Sequence, residues 1–438
     1  MKRTNAKKIK AKTQTATKSN KVETIFIQIA SYRDPQLLPT LRDLFSKAKN
    51  PNNITVGICW QHSPDDTWDV LAEFENDPRI KAINIDYKDS QGVCWARNLV
   101  QSLYNGETYT LQLDSHHRFV QDWDEILIDM LKGLQKDGYN KPLITAYIPS
   151  FDPDNDPASR VQEPWKMNFD RFIPEGAVFF LPASFDSWDD KTKPLPGRFY
   201  SAHFAFSVGA FCKEVPHDPQ YYFHGEEISI AARAYTHGYD IFHPHKVVCW
   251  HEYTRKGRTK QWDDDKKWGD RNNICHLRNR KLFEMDGEKR DIDFGQYGFG
   301  TVRSLRDYEK YSGLSFGKRA IQKRVQDHQA PPDPETSYLP DEDFDKRLLR
   351  IFKHCIDIQY GQVPENDYDF WAVAFKDKEG RDIYRQDADK DEILRIKNDP
   401  DGYCKVWREF QTEVTPTSWL IWPHSLSKGW AEPIVGYL

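Results

Sequence analysis

Cysteine is the first scarcity. The 438-residue chain carries seven, at positions 59, 94, 212, 249, 275, 355 and 404, with no Cys-x-x-Cys pair. An odd, scattered set excludes a disulfide framework and a thiolate zinc cage, and fits buried thiols in a reducing compartment. Long apolar runs are missing too. No stretch nears the ~18 consecutive apolar residues of a membrane span. The basic N-terminus has no apolar h-region, so no secretory signal is expected and the expected location is cytoplasmic. No Gly-x-Gly-x-x-Gly or Walker A run occurs, which removes the main support for dinucleotide and P-loop readings. No long internal repeat is present, which sets repeat architectures aside. Net charge is modest at -5, so no specific nucleic-acid partner is expected.

Acids are absent from one place, residues 2 to 21, which hold Lys2, Arg3, Lys7, Lys8, Lys10, Lys12, Lys18 and Lys21. This tail, residues 1–21, shows no apolar periodicity and is expected to be disordered. Aromatics, by contrast, are plentiful: 14 Trp, 21 Tyr and 25 Phe. Such rings suit stacking on a sugar or a nucleobase, and equally suit core packing. Trp165, Trp188 and Trp250 are candidate sugar platforms, with Trp250 also reading as core.

Residue periodicity predicts alternating strands and helices. Strands are expected at Thr24 to Ala30, Ile54 to Trp60, Ile80 to Ile85, Tyr109 to Leu113 and Leu143 to Ile148. Helices are expected from Leu37 to Ala48, with Asp34 as N-cap, from Gly92 to Leu103, and from Trp123 to Leu134. Residues 150 to 200 read as long irregular chain. Tyr200 to Phe211 reads as a strand region, Phe223 to Gly238 as a loop entering a helix, and Lys246 to Trp250 as a short strand. The alternation predicts an α/β fold with a mostly parallel sheet sandwiched by helices, occupying residues 22–328. A linker is expected over 329–343. Residues 344–438 then form an accessory domain, with a helix from Phe344 to Ile358 and a β-rich remainder.

The run Tyr109 to Leu113 ends in Asp114-Ser115-His116. Side chains one residue apart on a strand point the same way, so Asp114 and His116 form half of a divalent-metal site. Val247 to Trp250 ends in His251, which completes it. One oxygen and two nitrogens suit manganese better than magnesium. The same residues also read as a strand-end turn and a core histidine. Arg33 and Arg97 are candidate cations for a leaving diphosphate. Glu226 and Glu227 read either as sugar-binding acids or as acids favoured at a helix N-terminus. His116-His117 and His243-Pro-His245 invite a zinc reading, but have no cysteine at ligand spacing.

Several stretches together carry a resemblance. These are Ile29-Ala-Ser-Tyr-Arg-Asp34, Leu111-Gln-Leu-Asp-Ser-His116, Gly225-Glu-Glu-Ile-Ser229, Trp250-His251, and Gly298-Phe-Gly-Thr-Val-Arg303 followed by Tyr308. The chain resembles the GT-A glycosyltransferases, distantly the mucin-type polypeptide GalNAc-transferases. It is more similar to the UDP-GlcNAc-dependent polypeptide-hydroxyproline α-GlcNAc-transferases, over residues 24 to 316. The resemblance implies a GT-A, Rossmann-like fold and retaining transfer of GlcNAc from UDP-GlcNAc to a hydroxyl. It implies Asp114, His116 and His251 as ligands of Mn2+ or another divalent cation. Ala30, Ser31, Tyr32, Arg33, Arg97 and Asp114 would hold the nucleotide, and Glu226 and Glu227 would serve catalysis. Three readings are set against one another. The first is transfer to a protein hydroxyl on hydroxyproline, Ser or Thr. The second is a capsule or cell-surface glycan transferase. The third is a non-catalytic carbohydrate- or protein-binding module on the same scaffold.

Overall fold

The computed structural model describes residues 22–399 and 403–438. The basic tail, residues 1–21, lies outside the described residues. The first half-sheet is built from β1 (Ile25–Tyr32), β2 (Ile54–His62), β3 (Ile80–Asp86) and β4 (Tyr109–Leu113). After β5 (His117–Phe119) come β6 (Pro142–Thr145), the hairpin β7 (Trp165–Phe172) and β8 (Val178–Ser184), β9 (Leu195–Pro196), β10 (Phe204–Val208), β11 (Asp240–His243) and β12 (Cys249–His251). The eight-stranded sheet has the order β3-β2-β1-β4-β10-β6-β11-β9. Strands β1 to β4 pair in parallel, as do β6 and β11, while β10 and β9 run antiparallel to their neighbours. Small β12 pairs with β5, and its His251 bridges to Ser150 as well.

Both sheet faces are covered, so a central strand such as β4 is buried at every residue, its Thr110 and Gln112 included. On β1, Ile25, Ile27 and Ile29 join a core with Leu37, Leu41 and Leu44 of α1 (Leu37–Lys47). Phe26 points the other way, toward Ala96 and Val100 of α2 (Val93–Gln101). Trp123, Leu127 and Leu131 of α3 (Trp123–Lys136) complete the first layer. The opposite layer receives the short α4 (Phe211–Glu214) and then α5 (Glu226–Thr236), whose Ile228, Ile230 and Ala231 are buried. Short α6 (Gln261–Asp264), α7 (Trp268–Phe283) and α8 (Leu305–Ser312) follow. This is the Rossmann-like GT-A arrangement that the resemblance implies. No helix among the described residues is long and apolar enough to cross a membrane.

The C-terminal part is β-rich, as expected, with one correction. Strands β13 (Leu314–Ser315), β14 (Ala320–Gln322) and β15 (Leu348–Leu349) form a small sheet, with α9 (Lys323–Gln326) and α10 (Asp341–Asp345) between them. Of the helix expected from Phe344 to Ile358, only Phe344 and Asp345 are helical, at the end of α10, and the rest holds β15 and β16 (Ile351–Gln359). Ile351, Cys355 and Ile358 mimic a helical spacing, but the buried pair Ile356 and Ile358 has a period of two. The partner that decides the matter is distant in sequence. After β17 (Tyr368–Lys376), β18 (Asp382–Arg385), β19 (Ala388–Asp389) and α11 (Lys390–Lys397) comes β20 (Tyr403–Gln411), which pairs with β16 along its length. Strands β21 (Ser418–Ser425), β22 (Gly429–Trp430) and β23 (Ile434–Tyr437) finish the unit, around a core of Trp371, Val373, Phe375 and Ile421. A second correction concerns residues 150 to 200, which contain the β7–β8 hairpin rather than only irregular chain.

Trp123 is fully buried, and its Nε1 donates to the Leu44 carbonyl at 3.0 Å. Trp123→Ala is predicted to cost about 3–5 kcal/mol in chemical unfolding. A loss below about 1 kcal/mol would mean that α3 does not depend on this anchor.

Candidate active site

The cleft lies outside the carboxyl ends of β1 and β4, where ligands bind in open α/β sheets. Its volume is about 440 Å³. Asp114 follows β4 directly. The turn after it is held by buried Thr40 of α1, whose Oγ1 donates to the Ser115 carbonyl at 2.9 Å and accepts from the His117 amide at 2.9 Å. His251 arrives from β12, opposite His117 in the antiparallel ladder. Its own amide donates to the Pro149 carbonyl at 2.9 Å. Both imidazoles then present Nε2 to the same carboxylate oxygen, Asp114 Oδ2, His251 at 3.4 Å and His116 at 3.7 Å.

Asp34 orients His116. Its Oδ2 accepts from His116 Nδ1 at 2.7 Å, from Ser115 Oγ at 2.7 Å and from Arg258 at 3.0 Å. Asp34 was expected to cap α1, but the helix begins after Gln36 without a side-chain cap. Asp34 Oδ1 accepts from the Gln36 amide instead, and the other oxygen belongs to the site. Burial raises the Asp34 carboxyl, yet His116 and Arg258 hold it well below the usual carboxylate range. Asp114 behaves likewise: burial opposes its charge, but His251 and Arg97 keep it ionised.

Arg97 sits at the centre of the cleft. Its guanidinium reaches Asp114 Oδ1 at 2.7 Å and Glu226 Oε1 at 2.8 Å. Glu226 opens α5 behind Gly225, whose φ of 94° a side chain would strain. Burial pushes Glu226 upward against Arg97, and the Cys94 thiol donates to its other oxygen. Glu227 accepts from the Ala202 amide at 2.9 Å and from Tyr147 Oη at 2.8 Å. Burial pushes Glu227 up to about 7.

The donor set fits a divalent cation. One carboxylate oxygen and two imidazole nitrogens, from Asp114, His116 and His251, all lie within 4.8 Å of one another. The Asp34–His116 hydrogen bond is the supporting contact typical of a metal-bound imidazole. The ion-paired network holds four carboxylates, Asp34, Asp114, Glu226 and Glu252, against the guanidiniums of Arg97 and Arg258. Acids outnumber guanidiniums in this network, which favours a bound cation. Asp114, His116 and His251 would hold the ion. Cys94, His217 and Glu226 also approach within ligating distance. That group is poorly suited to a cation: Glu226 is already bound by the Arg97 guanidinium, and burial holds Cys94 as the thiol.

Other expected residues divide. Ala30, Tyr32, Arg97, Asp114, Glu226 and Glu227 line the cleft. Ser31 is buried, outside the lining. Arg33 is also outside it, its guanidinium bound to Asp66 at 2.6 Å and Asp264 at 2.9 Å. His117 is buried with Nδ1 on the Asp114 carbonyl, and His243 Nδ1 bonds the Thr145 carbonyl, so neither joins a ligand group. Trp165, Trp188 and Trp250 do not line the cleft; the aromatic wall is Phe179, Phe180, Tyr222, Phe223 and Trp262. Sequence reasoning missed Arg258 and His203. Arg258 lies in the basic run Arg255-Lys-Gly-Arg-Thr-Lys260 just after His251, and that charge cluster was the available signal. His203 stacks on His251 with centroids 4.3 Å apart, a contact with no sequence signature.

A family model described as Glycosyltransferase (GlcNAc) matches residues 24–77 and 69–318, more than half of the chain. Among solved structures, the chain is similar to GalNAc-T7 with UDP, GalNAc and Mn2+, at 12% identity and TM-score 0.46, covering 66% of this chain and 56% of that one. It is similar to S. aureus TarS 1-349 in complex with UDP, at 10% identity and TM-score 0.35, covering 62% and 76% respectively. It is also similar to the mannosyltransferase PcManGT from Pyrobaculum calidifontis in complex with GDP-Man and Mn2+, at 11% identity and TM-score 0.36, covering 55% and 59%. No curated protein matches the chain.

Two outcomes follow from this geometry. Asp34→Asn is predicted to weaken Mn2+ binding about 10–100-fold while leaving the fold intact, read by calorimetric titration. Unchanged affinity would show that Asp34 does not orient His116. Glu227 holds its proton in the folded state between its ordinary 4.5 and about 7, where the unfolded chain has released it. Stability therefore falls as pH rises through that window. Glu227→Gln is predicted to flatten this part of the Tm-against-pH curve. An unaltered slope would mean that Glu227 is ionised throughout.

Proposed function

The chain belongs to the Glycosyltransferase (GlcNAc) family, and on that premise we propose that it moves GlcNAc from UDP-GlcNAc to a hydroxyl on a polypeptide, with retention at the anomeric carbon. The observation that carries this reading is the convergence of Asp114, His116 and His251 on one side of Arg97, at the carboxyl edge of the sheet. A bound divalent cation, Mn2+ in this reading, neutralises charge on a diphosphate leaving group. Arg97 and Arg258 line the same cleft and add fixed positive charge where negative charge develops. Ala30 and Tyr32 border the end where β1 stops, the place for the nucleotide.

Retention is what the family resemblance implies, and the two glutamates are engaged in a way that leaves no free carboxylate for a double displacement. Glu226 is bound by Arg97 and Cys94, and Glu227 by Tyr147 and the Ala202 amide. Neither is a free nucleophile. In this proposal the acceptor hydroxyl attacks from the face that UDP leaves, and its proton passes to a phosphate oxygen of the departing group. Glu226 and Glu227 orient the donor sugar and the acceptor. The protein acts in the cytoplasm, a reading supported by its buried free thiols, among them Cys59, Cys94 and Cys249.

Purified protein with Mn2+ is expected to release UDP from UDP-GlcNAc, and Asp114→Asn to slow release by about 100-fold or more. Hydroxyprolyl, Ser or Thr peptides are expected to accept the sugar in preference to oligosaccharides. Absence of UDP release from every UDP-sugar tested would sink the assignment, and transfer to oligosaccharides alone would replace the acceptor.

A further inference from the structure

The wall of the cleft facing the nucleotide end is the β7–β8 hairpin, which contributes Val178, Phe179 and Phe180. In the function proposed above the nucleotide lies at the β1 edge, which leaves this wall to the acceptor. The ring of Phe179 lies 4.9 Å from that of His224, which precedes the Gly225-Glu226-Glu227 turn. The hairpin is irregular at one point. Phe169 pairs with Phe180 and Arg171 with Phe179, so Asp170 is an extra, bulged residue. Bulges re-aim side chains beside active sites. Here the bulge turns Asp170 into a buried position, with 3% of its side chain exposed, against Lys353 of β16. Lys353 belongs to the C-terminal β-unit, yet its ammonium pairs with this carboxylate, as does the neighbouring Arg171.

The same unit supplies a second contact. The Arg171 guanidinium lies between two rings, 4.9 Å from Phe179 and 5.1 Å from Trp407 of β20. Lys353 Nζ lies 5.5 Å from the Trp407 ring as well. Lys353 and Trp407 share the outer face of the β16–β20 ladder, because Cys355, two residues from Lys353, is the register partner of Trp407. A continuous chain of contacts therefore runs from Trp407 through Arg171 to Phe179 and His224. The tip of the hairpin is tied separately, by Arg319 to the carbonyls of Ile173 and Pro174. What the C-terminal unit holds is the body of the hairpin, the part that faces the cleft.

We propose that the C-terminal β-domain sets the acceptor-side wall of the cleft through Arg171, which makes Trp407 and Lys353 positioning residues for acceptor binding. The functional half of this inference rests on the transferase reading above; the mechanical half does not. Neither residue lines the cleft, so changing them leaves the donor site as it is.

The full-length chain is compared with Trp407→Ala and with the conservative Trp407→Phe. Amide hydrogen exchange across residues 173–184 reads the wall directly, without turnover. Water as acceptor, giving hydrolysis of UDP-GlcNAc, reads the donor site. Transfer to a 4-hydroxyprolyl peptide reads the acceptor site. Trp407→Ala is expected to speed exchange at Val178 to Phe180 and to raise the peptide KM about tenfold, with donor hydrolysis within about twofold of the parent. Trp407→Phe, which keeps a ring under Arg171, is expected to restore most of the KM. Unchanged exchange overturns the proposal whether or not the protein proves to be a transferase. Faster exchange with an unchanged peptide KM overturns the acceptor role, and an equal loss in hydrolysis and transfer shows general damage instead of positioning. If the parent neither hydrolyses nor transfers, the transferase reading has failed on its own, and the exchange result alone decides the mechanical link.

Discussion

Arg97 has only 4% of its side chain exposed and touches two carboxylates that the chain supplies from the end of β4 and the start of α5. Removing two acids from water at one place is costly, and a buried guanidinium between them offsets that cost. Asp114 then stays ionised at a strand end that would otherwise favour its neutral form. Glu226 stays docked at the first turn of α5. The metal-ligand group is arranged around this pair of contacts. The imidazoles of His116 and His251 turn toward the free oxygen of Asp114. Arg258 repeats the device one layer out, between Asp34 and Glu252.

The cleft has two sides of different character. One side, where the proposal places the nucleotide, is made by strand ends and helix starts of the central sheet, which are rigid because the sheet is buried on both faces. The opposite side is the β7–β8 hairpin, which belongs to no large sheet and is steadied by contacts from elsewhere. A site with one rigid wall and one supported wall separates the two tasks of a transferase. In the proposed function donor binding belongs to the Rossmann-like half, and acceptor binding to the wall on which the second β-rich unit presses.

Some of this was legible in the residues. The apolar runs that became β1, β2 and β4, and the stripe that became α3, have a clear period and short range, so local pattern sufficed. Asp114 and His116 stand two apart at the end of such a run, a spacing that marks them as a pair, although the bend held by Thr40 is what aims them. Other parts were not legible. The stretch around Ile351 to Ile358 satisfies helical and strand spacings at once, and the choice was made by pairing with β20, some fifty residues later. Arg33 looked like a nucleotide ligand from its place after β1. Its ion pairs with Asp66 and Asp264 turn it elsewhere.

By itself the amino-acid order determined the alternation of strands and helices, the apolar core of the central sheet, and the acid–imidazole pair at the end of β4. Those depend on contacts between near neighbours, which sequence spacing encodes. The tertiary structure decided which remote groups meet that pair: Asp34 behind His116, Arg97 between Asp114 and Glu226, His203 against His251, and Trp407 behind the hairpin wall. Such meetings depend on how strands are ordered and where a bulge falls. Those are properties of the packed chain that no local periodicity carries.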